Sequence, residues 1–214
     1  PEYRRRGVGT RLLEWSLERA PRGVELSIAN EALTADAHAL YLSNGFRPRM
    51  TETRMVRPLV PDPPDARLPA GVATVPWTAD SAPLFFTAYR ASFADRPGFP
   101  DPGAEEWIAD GRGAAFRPDL SRVALLGDEP LGFITIELRA GSGWIDQLGI
   151  APEWRGRGLA RALLNASLRR LYEEHLAEVF LHVNLNNPRA ARLFSRAGFR
   201  ADLQRARYTK DPDS

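Results

Sequence analysis

The sequence predicts a mixed α/β fold, a mostly antiparallel central sheet flanked by helices, with the C-terminal half of a second such unit placed ahead of it. Three observations carry that prediction. A glycine turn opening a helical run occurs twice, as Pro152-Glu153-Trp154-Arg155-Gly156-Arg157-Gly158-Leu159-Ala160 and as Pro1-Glu2-Tyr3-Arg4-Arg5-Arg6-Gly7-Val8-Gly9. The repeat extends past the turn. Leu12-Leu13 matches Leu163-Leu164, and the run from Ala37 to Arg47, ending in Gly45-Phe46-Arg47, matches the run from Ala190 to Arg200, ending in Gly198-Phe199-Arg200. Finally, only the second copy is preceded by several short β-rich runs, so the first has half of what the second has.

Taken in order, residues 10 to 20 carry Leu12, Leu13, Trp15 and Leu17 among charges, an amphipathic helix stopped by Pro21. Val24 to Ile28 alternates as a strand does. Ala35 to Ser43 reads as a helix closed by Asn44-Gly45, and Phe46 to Val56 as one or two strands. Residues 1–57 therefore form the half unit. Residues 58–70, around Pro61-Asp62-Pro63-Pro64-Asp65, form a stiff, extended linker, and 71–214 form a complete unit.

In that unit Val72 to Val75 is a strand, Ser81 to Phe93 a helix, Asp95 to Gly103 a Gly/Pro-rich loop, and Glu105 to Asp110 a short helix. Val123 to Leu126 and Phe133 to Leu138 are strands joined at Asp128-Glu129, and Trp144 to Ile150 is a third. After the glycine turn come a helix to about His175, the strand Val179 to Val183, a helix from Pro188 to Ala197, and terminal strands to about Thr209. Antiparallel strands followed by a strand-helix-strand crossover give a mixed sheet with helices on its faces.

Composition narrows the chemistry. The 214 residues contain no cysteine, which excludes disulfides, cysteine metal sites and a cysteinyl acyl-enzyme. Three scattered histidines give no zinc-ligand pattern, so no metal is expected. A net charge of +2 offers no field for wrapping nucleic acid. No apolar run approaches the roughly twenty residues that span a bilayer, and no signal peptide is visible, so no membrane partner is expected and the expected location is cytoplasmic.

A glycine turn that opens a helix leaves backbone N–H groups without helical partners at the positive end of the helix dipole, a seat for phosphate or pyrophosphate. Gly156 and Gly158 permit unusual dihedrals, and Arg155, Arg157 and Arg161 add charge. The alternative is that the glycines only make a tight connection. A Walker loop needs Gly-Lys-Ser/Thr, which is absent, and a Rossmann loop needs a third glycine where Leu163 stands.

The turn, with Arg161-Ala162-Leu163-Leu164, then Asn187-Pro188-Arg189-Ala190-Ala191-Arg192-Leu193-Phe194 and Gly198-Phe199, resembles the GNAT superfamily of acyl-CoA dependent N-acyltransferases. The resemblance covers 71–214 as a whole domain and 1–57 as half of one. It implies a transferase using acetyl-CoA as acyl donor and a primary amine of a small molecule or peptide as acceptor. The cofactor site it implies consists of Leu148, Ile150, Arg155, Gly156, Arg157, Gly158, Leu159, Ala160, Arg161, Asn187 and Phe194. The pyrophosphate would lie on the amides of Arg157 to Ala160, along a strand that is usually bulged and splayed. Gly149 inside that strand fits a close approach, or a simple local irregularity.

Without cysteine, direct attack by the amine on the thioester in a ternary complex is the natural route, needing a base, an oxyanion donor and an acid. Asp146 and Glu137 are the candidate bases, each with an ion-paired surface role as its alternative. His182 is a further candidate, or structural. By resemblance, the Ile150 N–H is the oxyanion donor. The family places a tyrosine near the thiolate, where this sequence has Phe194 in the second copy and Tyr41 in the first. The first copy has Thr34 at the position of Asn187. Tyr208 or water supplies the proton instead, or the site belongs to the first unit completed by other sequence, or the chain binds acyl-CoA without turnover. By resemblance, Tyr89, Phe93, Asp95, Arg96, Phe99 and Trp107 build the acceptor pocket, or they cap the core. The half unit would expose a sheet edge and Leu12, Leu13 and Trp15, so it is expected to dock on the second unit or in a homodimer, unless the chain is a fragment of a longer tandem protein.

Overall fold

A computed structural model describes residues 6–60, 67–95, 101–110 and 113–211. In chain order the elements are α1 (Val8–Glu18), β1 (Leu26–Asn30), α2 (Ala35–Ser43), β2 (Arg47–Pro58), β3 (Val72–Pro76), α3 (Ala82–Phe93), α4 (Ala104–Asp110), β4 (Arg122–Leu126), β5 (Glu129–Arg139), β6 (Ser142–Ile150), α5 (Leu159–Glu173), β7 (Glu178–Asn184), α6 (Pro188–Arg196) and β8 (Arg200–Lys210). The architecture is mixed α/β with a mostly antiparallel sheet, as the sequence predicts. The terminal strands expected after α6 are one long strand, β8. Parts of the predicted first turn (Pro1 to Arg5), the linker (61–66) and the loop with Arg96 and Phe99 lie outside the described residues.

By their contacts the residues form two units, Pro1–Arg54 with Val183–Pro188 and Ala201–Ser214, and Met55–His182 with Arg189–Arg200. β8, at the far end of the sequence, is thus grouped with the first unit.

In that first unit the strands run β1, β8, β2, with Leu26 opposite Lys210 and Ile28 opposite Tyr208 in an antiparallel ladder. Phe46, Ala206 and Tyr208 form its buried core, and Leu13 and Leu17 from α1 and Tyr41 from α2 pack against it. Two of these three buried residues come from β8, because alternation turns Ala206 and Tyr208 to the same face.

The second unit orders its strands β3, β4, β5, β6, β7, antiparallel except for the parallel pair β6 and β7. On β5, Leu131 to Ile136 are all buried, the mark of a strand covered on both faces. One cover is α3, whose Phe85, Tyr89 and Phe93 recur at helical spacing and join Trp77, Trp107, Val123 and Phe133 in a core cluster. The other is α5, which places Leu171 3.0 Å from where a side chain on Gly143 would begin. Gly143 lies opposite Leu138 on β5, an odd number of residues from Phe133 of the α3 cluster, so α3 and α5 lie on opposite faces of the sheet.

Candidate active site

The site in the second unit begins where β6 leaves β7. Their parallel ladder pairs Gly143 with Val179, Trp144 with Phe180 and Ile145 with Leu181, and stops there. At that point β6 bulges: Thr135 faces Gln147 while Ile136 faces Ile145, which makes Asp146 the extra residue. From Gln147 to Ile150 the strand is paired with β5 alone. Its opposite edge presents peptide groups to which an extended ligand can add as a strand would.

The strand runs into the glycine turn. Gly156 and Gly158 have φ of +82° and +86°, and a side chain on either would meet open space. Glycine is required there for the backbone conformation, and the same openness lets a ligand approach the chain. Gly158 caps α5 without a side-chain hydrogen bond, and the first helical bond of the turn is Ala162 N–H to the Gly158 carbonyl at 3.0 Å. The amides of Leu159, Ala160 and Arg161 precede it and face the end of the helix where anions are favoured. Arg157 lies over the Trp154 ring at 4.8 Å, exposed, and Arg161 is also exposed. Arg155 is bound inward: its Nε donates to the Ile150 carbonyl at 3.1 Å and its Nη2 to the Ser92 carbonyl at 2.8 Å.

On the α3 face of the sheet, Glu137, Trp144 and Phe180 stand side by side on adjacent strands. Trp144 stacks on Phe180 at 5.1 Å and lies 5.2 Å from the His182 ring. Arg139 lies over the Trp144 ring at 4.9 Å, bonds the Glu137 carboxylate at 2.5 Å and comes within 3.9 Å of Asp146. Thr135 Oγ1 donates to Asp146 Oδ2 at 3.4 Å and accepts from the Gln147 amide at 3.0 Å, holding the bulge. Both candidate bases therefore share one patch beside the open strand edge. Sequence reading missed Trp144, Phe180, Thr135 and Arg139; the alternation in β7 that places Phe180 and His182 on one face was the available signal.

Other expected residues stand elsewhere. Gly149 is required by helix packing, since a side chain there would begin 2.7 Å from Ser92 Cβ and 2.7 Å from Phe133 Cε1. Tyr89, Phe93 and Trp107 are buried in the core cluster, as the alternative of a core-capping role expects. Burial raises the Tyr89 hydroxyl above its ordinary pKa, with the Asp101 charge adding to it. Phe194 is buried against Phe199 at 5.8 Å. Asn187, in the turn before α6, is grouped with the first unit.

Tyr208 is fully buried in the first unit, its hydroxyl 2.5 Å from His38 Nδ1, and burial followed by the nearby Tyr41 raises its pKa. The expected proton donor is thereby committed to another partner in another core. Tyr41, at the family's tyrosine position, accepts from Asn30 Nδ2 at 3.1 Å.

The Acetyltransferase (GNAT) family model matches residues 83–199, and the Acetyltransferase (GNAT) domain model matches residues 1–48. The chain belongs to the GNAT acetyltransferase family. The mycothiol acetyltransferase of Clavibacter michiganensis subsp. michiganensis is 32% identical over 94% of this chain and 66% of its own length. That of Parafrankia sp. is 31% identical over 98% of this chain and 73% of its own. The chain thus spans about two thirds of the length of such curated relatives.

Among solved structures, a GCN5-related N-acetyltransferase from Sphaerobacter thermophilus superposes with a TM-score of 0.79 at 25% identity, over 99% of this chain and 70% of that one. A tandem GNAT protein from the clavulanic acid biosynthesis pathway shares the fold, with a TM-score of 0.63 at 18% identity over 99% of this chain and 72% of that one. GNAT acetyltransferases take their acyl group from acetyl-CoA. The uncapped turn presents backbone amides of the kind that hold an anion, and the open β6 edge peptide groups to which an extended ligand can add. No helix among the described residues is long and apolar enough to cross a membrane.

Proposed function

We propose that the chain transfers an acetyl group from acetyl-CoA to a primary amine of a small molecule, with residues 71–214 supplying the acyl-donor site. The observation that carries this reading is the parting of β6 from β7 after Ile145, immediately ahead of the uncapped turn at Gly158. Leu148 and Ile150 would line the donor's arm, and the amides of Leu159, Ala160 and Arg161 its pyrophosphate. The amine nitrogen attacks the thioester carbonyl, the carbon–sulfur bond breaks, and the nitrogen gives up a proton. Glu137 is the base we favour, since Arg139 holds its carboxylate in place beside Trp144. Asp146 lies in the same patch. With Tyr208 engaged elsewhere and Phe194 unable to donate, water protonates the thiolate, a tolerable leaving group near neutral pH.

The names of the relatives favour an acceptor of the mycothiol type, and acetyl-CoA as donor favours the cytoplasm as the place of reaction. Acetyl-CoA is expected to raise the melting temperature, and the amine-dependent release of free thiol to fall about 100-fold or more in Glu137→Gln. No thermal shift with acetyl-CoA would overturn the reading. A shift without thiol release across an amine panel would favour a non-catalytic acyl-CoA-binding role, which the buried Phe194 at the tyrosine position supports.

A further inference from the structure

The guanidinium of Arg155 joins three pieces of the second unit. Nε donates to the carbonyl of Ile150, the last residue of β6, at 3.1 Å. Nη2 donates to the Ser92 carbonyl near the C-terminal end of α3 at 2.8 Å and to Asp95 Oδ1 at 3.1 Å, while Nη1 donates to Asp95 Oδ2 at 2.5 Å. Pairing with Asp95 outweighs burial and raises the Arg155 pKa, so the fork stays charged. A cation at the end of α3 also meets the carbonyls of the helix's negative pole.

The same helix presses on β6 one residue earlier. At Gly149 the approach of Ser92 leaves no room for a side chain. Ser92 is buried, and its hydroxyl has no hydrogen-bond partner among the described residues, so its carbonyl, through Arg155, makes the polar link to the strand. Consecutive residues of β6 are therefore fixed against α3, Gly149 by contact and Ile150 through Arg155. Only a planar fork with donors in several directions can make this set of bonds, and lysine cannot.

We infer that Arg155 is a positioning residue for acyl transfer: it sets the end of β6 against α3, and it leaves the donor's phosphates to the backbone amides of the turn. The inference rests on the acetyltransferase reading above and departs from the phosphate contact that the family resemblance assigns to this arginine.

The test compares Arg155→Gln, Arg155→Lys and Asp95→Asn in the full chain, with acetyl-CoA affinity by calorimetry, amine-dependent thiol release, and hydrogen exchange of the Leu148 to Ala151 amides. For Arg155→Gln the expected result is a dissociation constant within about 3-fold of wild type and a kcat lowered about 10- to 100-fold, the scale of a misplaced reacting group. Exchange at Leu148 to Ala151 should quicken. Asp95→Asn should shift kcat the same way by less, and add little in the double variant, because both act through one link. Arg155→Lys should recover part of kcat.

A dissociation constant weakened more than about 10-fold in Arg155→Gln, with Asp95→Asn unchanged in kcat and exchange, would make Arg155 a phosphate ligand and overturn the inference. If Arg155→Gln does not fold, Asp95→Asn and Arg155→Lys decide by the same criteria. Wild type that binds acetyl-CoA without turnover leaves affinity and exchange to decide. Wild type that gives no acetyl-CoA heat overturns the functional reading itself, and this inference with it.

Discussion

At Gly7 and at Gly158 the chain enters a helix through the same left-handed backbone, with φ of 75° and 86°, and no side chain caps either helix. The surroundings differ. In α5 eight residues are buried, among them Leu159, Leu163, Leu164 and Leu168, because β5 and β6 lie beneath it. In α1 none is buried; Val8 and Leu12, the counterparts of Leu159 and Leu163, are 58% and 63% exposed, and Trp15 is 53% exposed. Leu13 and Leu17 do pack, against the core that β8 completes. Leu12 and Trp15 are not part of that core. A glycine turn is thus a local product of its sequence, whereas a binding site also needs the strand that ends beside it.

The sharpest way to break this comparison is at the two glycines. Gly158→Glu should weaken acetyl-CoA binding by about 100-fold, since it strains the turn and sets a carboxylate where the proposed donor site takes a pyrophosphate, while Gly7→Glu should change it less than about 3-fold. Calorimetry reads both, and an equal loss at Gly7 would give the first turn a donor site of its own. Next in size, Leu163→Ala should cost about 2–5 kcal/mol in denaturant unfolding and Leu12→Ala within about 0.5 kcal/mol. A large cost at Leu12 would mean that its face is covered in solution, which sedimentation would then reveal as self-association.

The tyrosines extend the comparison. Tyr208→Phe should cost about 1 kcal/mol by removing the bond to His38, where Phe194 already lacks a hydroxyl. Because burial raises the Tyr208 pKa above its unfolded value, the neutral phenol is the form the fold prefers. Its contribution is present below about pH 10 and lost as pH rises through the folded pKa, so alkaline unfolding should shift in Tyr208→Phe.

The smallest effect concerns the cations beneath the two Gly-Phe turns. Lys210 donates to the Asn44 carbonyl at 3.0 Å beside Gly45. Arg57 lies in the matching place beside Gly198, its Nη1 buried with no hydrogen-bond partner among the described residues, and burial lowers its pKa. Lys210→Met should therefore cost about 0.5–1 kcal/mol, and Arg57→Met should be neutral or slightly stabilising by thermal melting.

Much of the fold was legible because its signals are local. Pro21, Asn44-Gly45 and the two turns punctuate the helices, and the apolar spacing of α3 and α5 shows in single windows of sequence. The bulge and splay at Asp146 followed from the family resemblance rather than from any residue, for a ladder ends according to the position of the neighbouring strand. Arg155 and Tyr208 were assigned to the cofactor's surroundings because motif and residue type suggest it. Their partners, Asp95 and Ser92 in one case and His38 in the other, are distant in sequence and brought close only by packing.

By itself the sequence determined the two glycine turns, the helices they open, the GNAT family and the strand at Leu148 to Ile150, since each depends on backbone preferences or spacing within a few residues. Only the tertiary structure decided that β8 fills the first core, that Gly149 yields to α3, and that Arg155 faces inward. Those outcomes depend on which surfaces meet, and buried polar groups must find their hydrogen bonds wherever the fold leaves them.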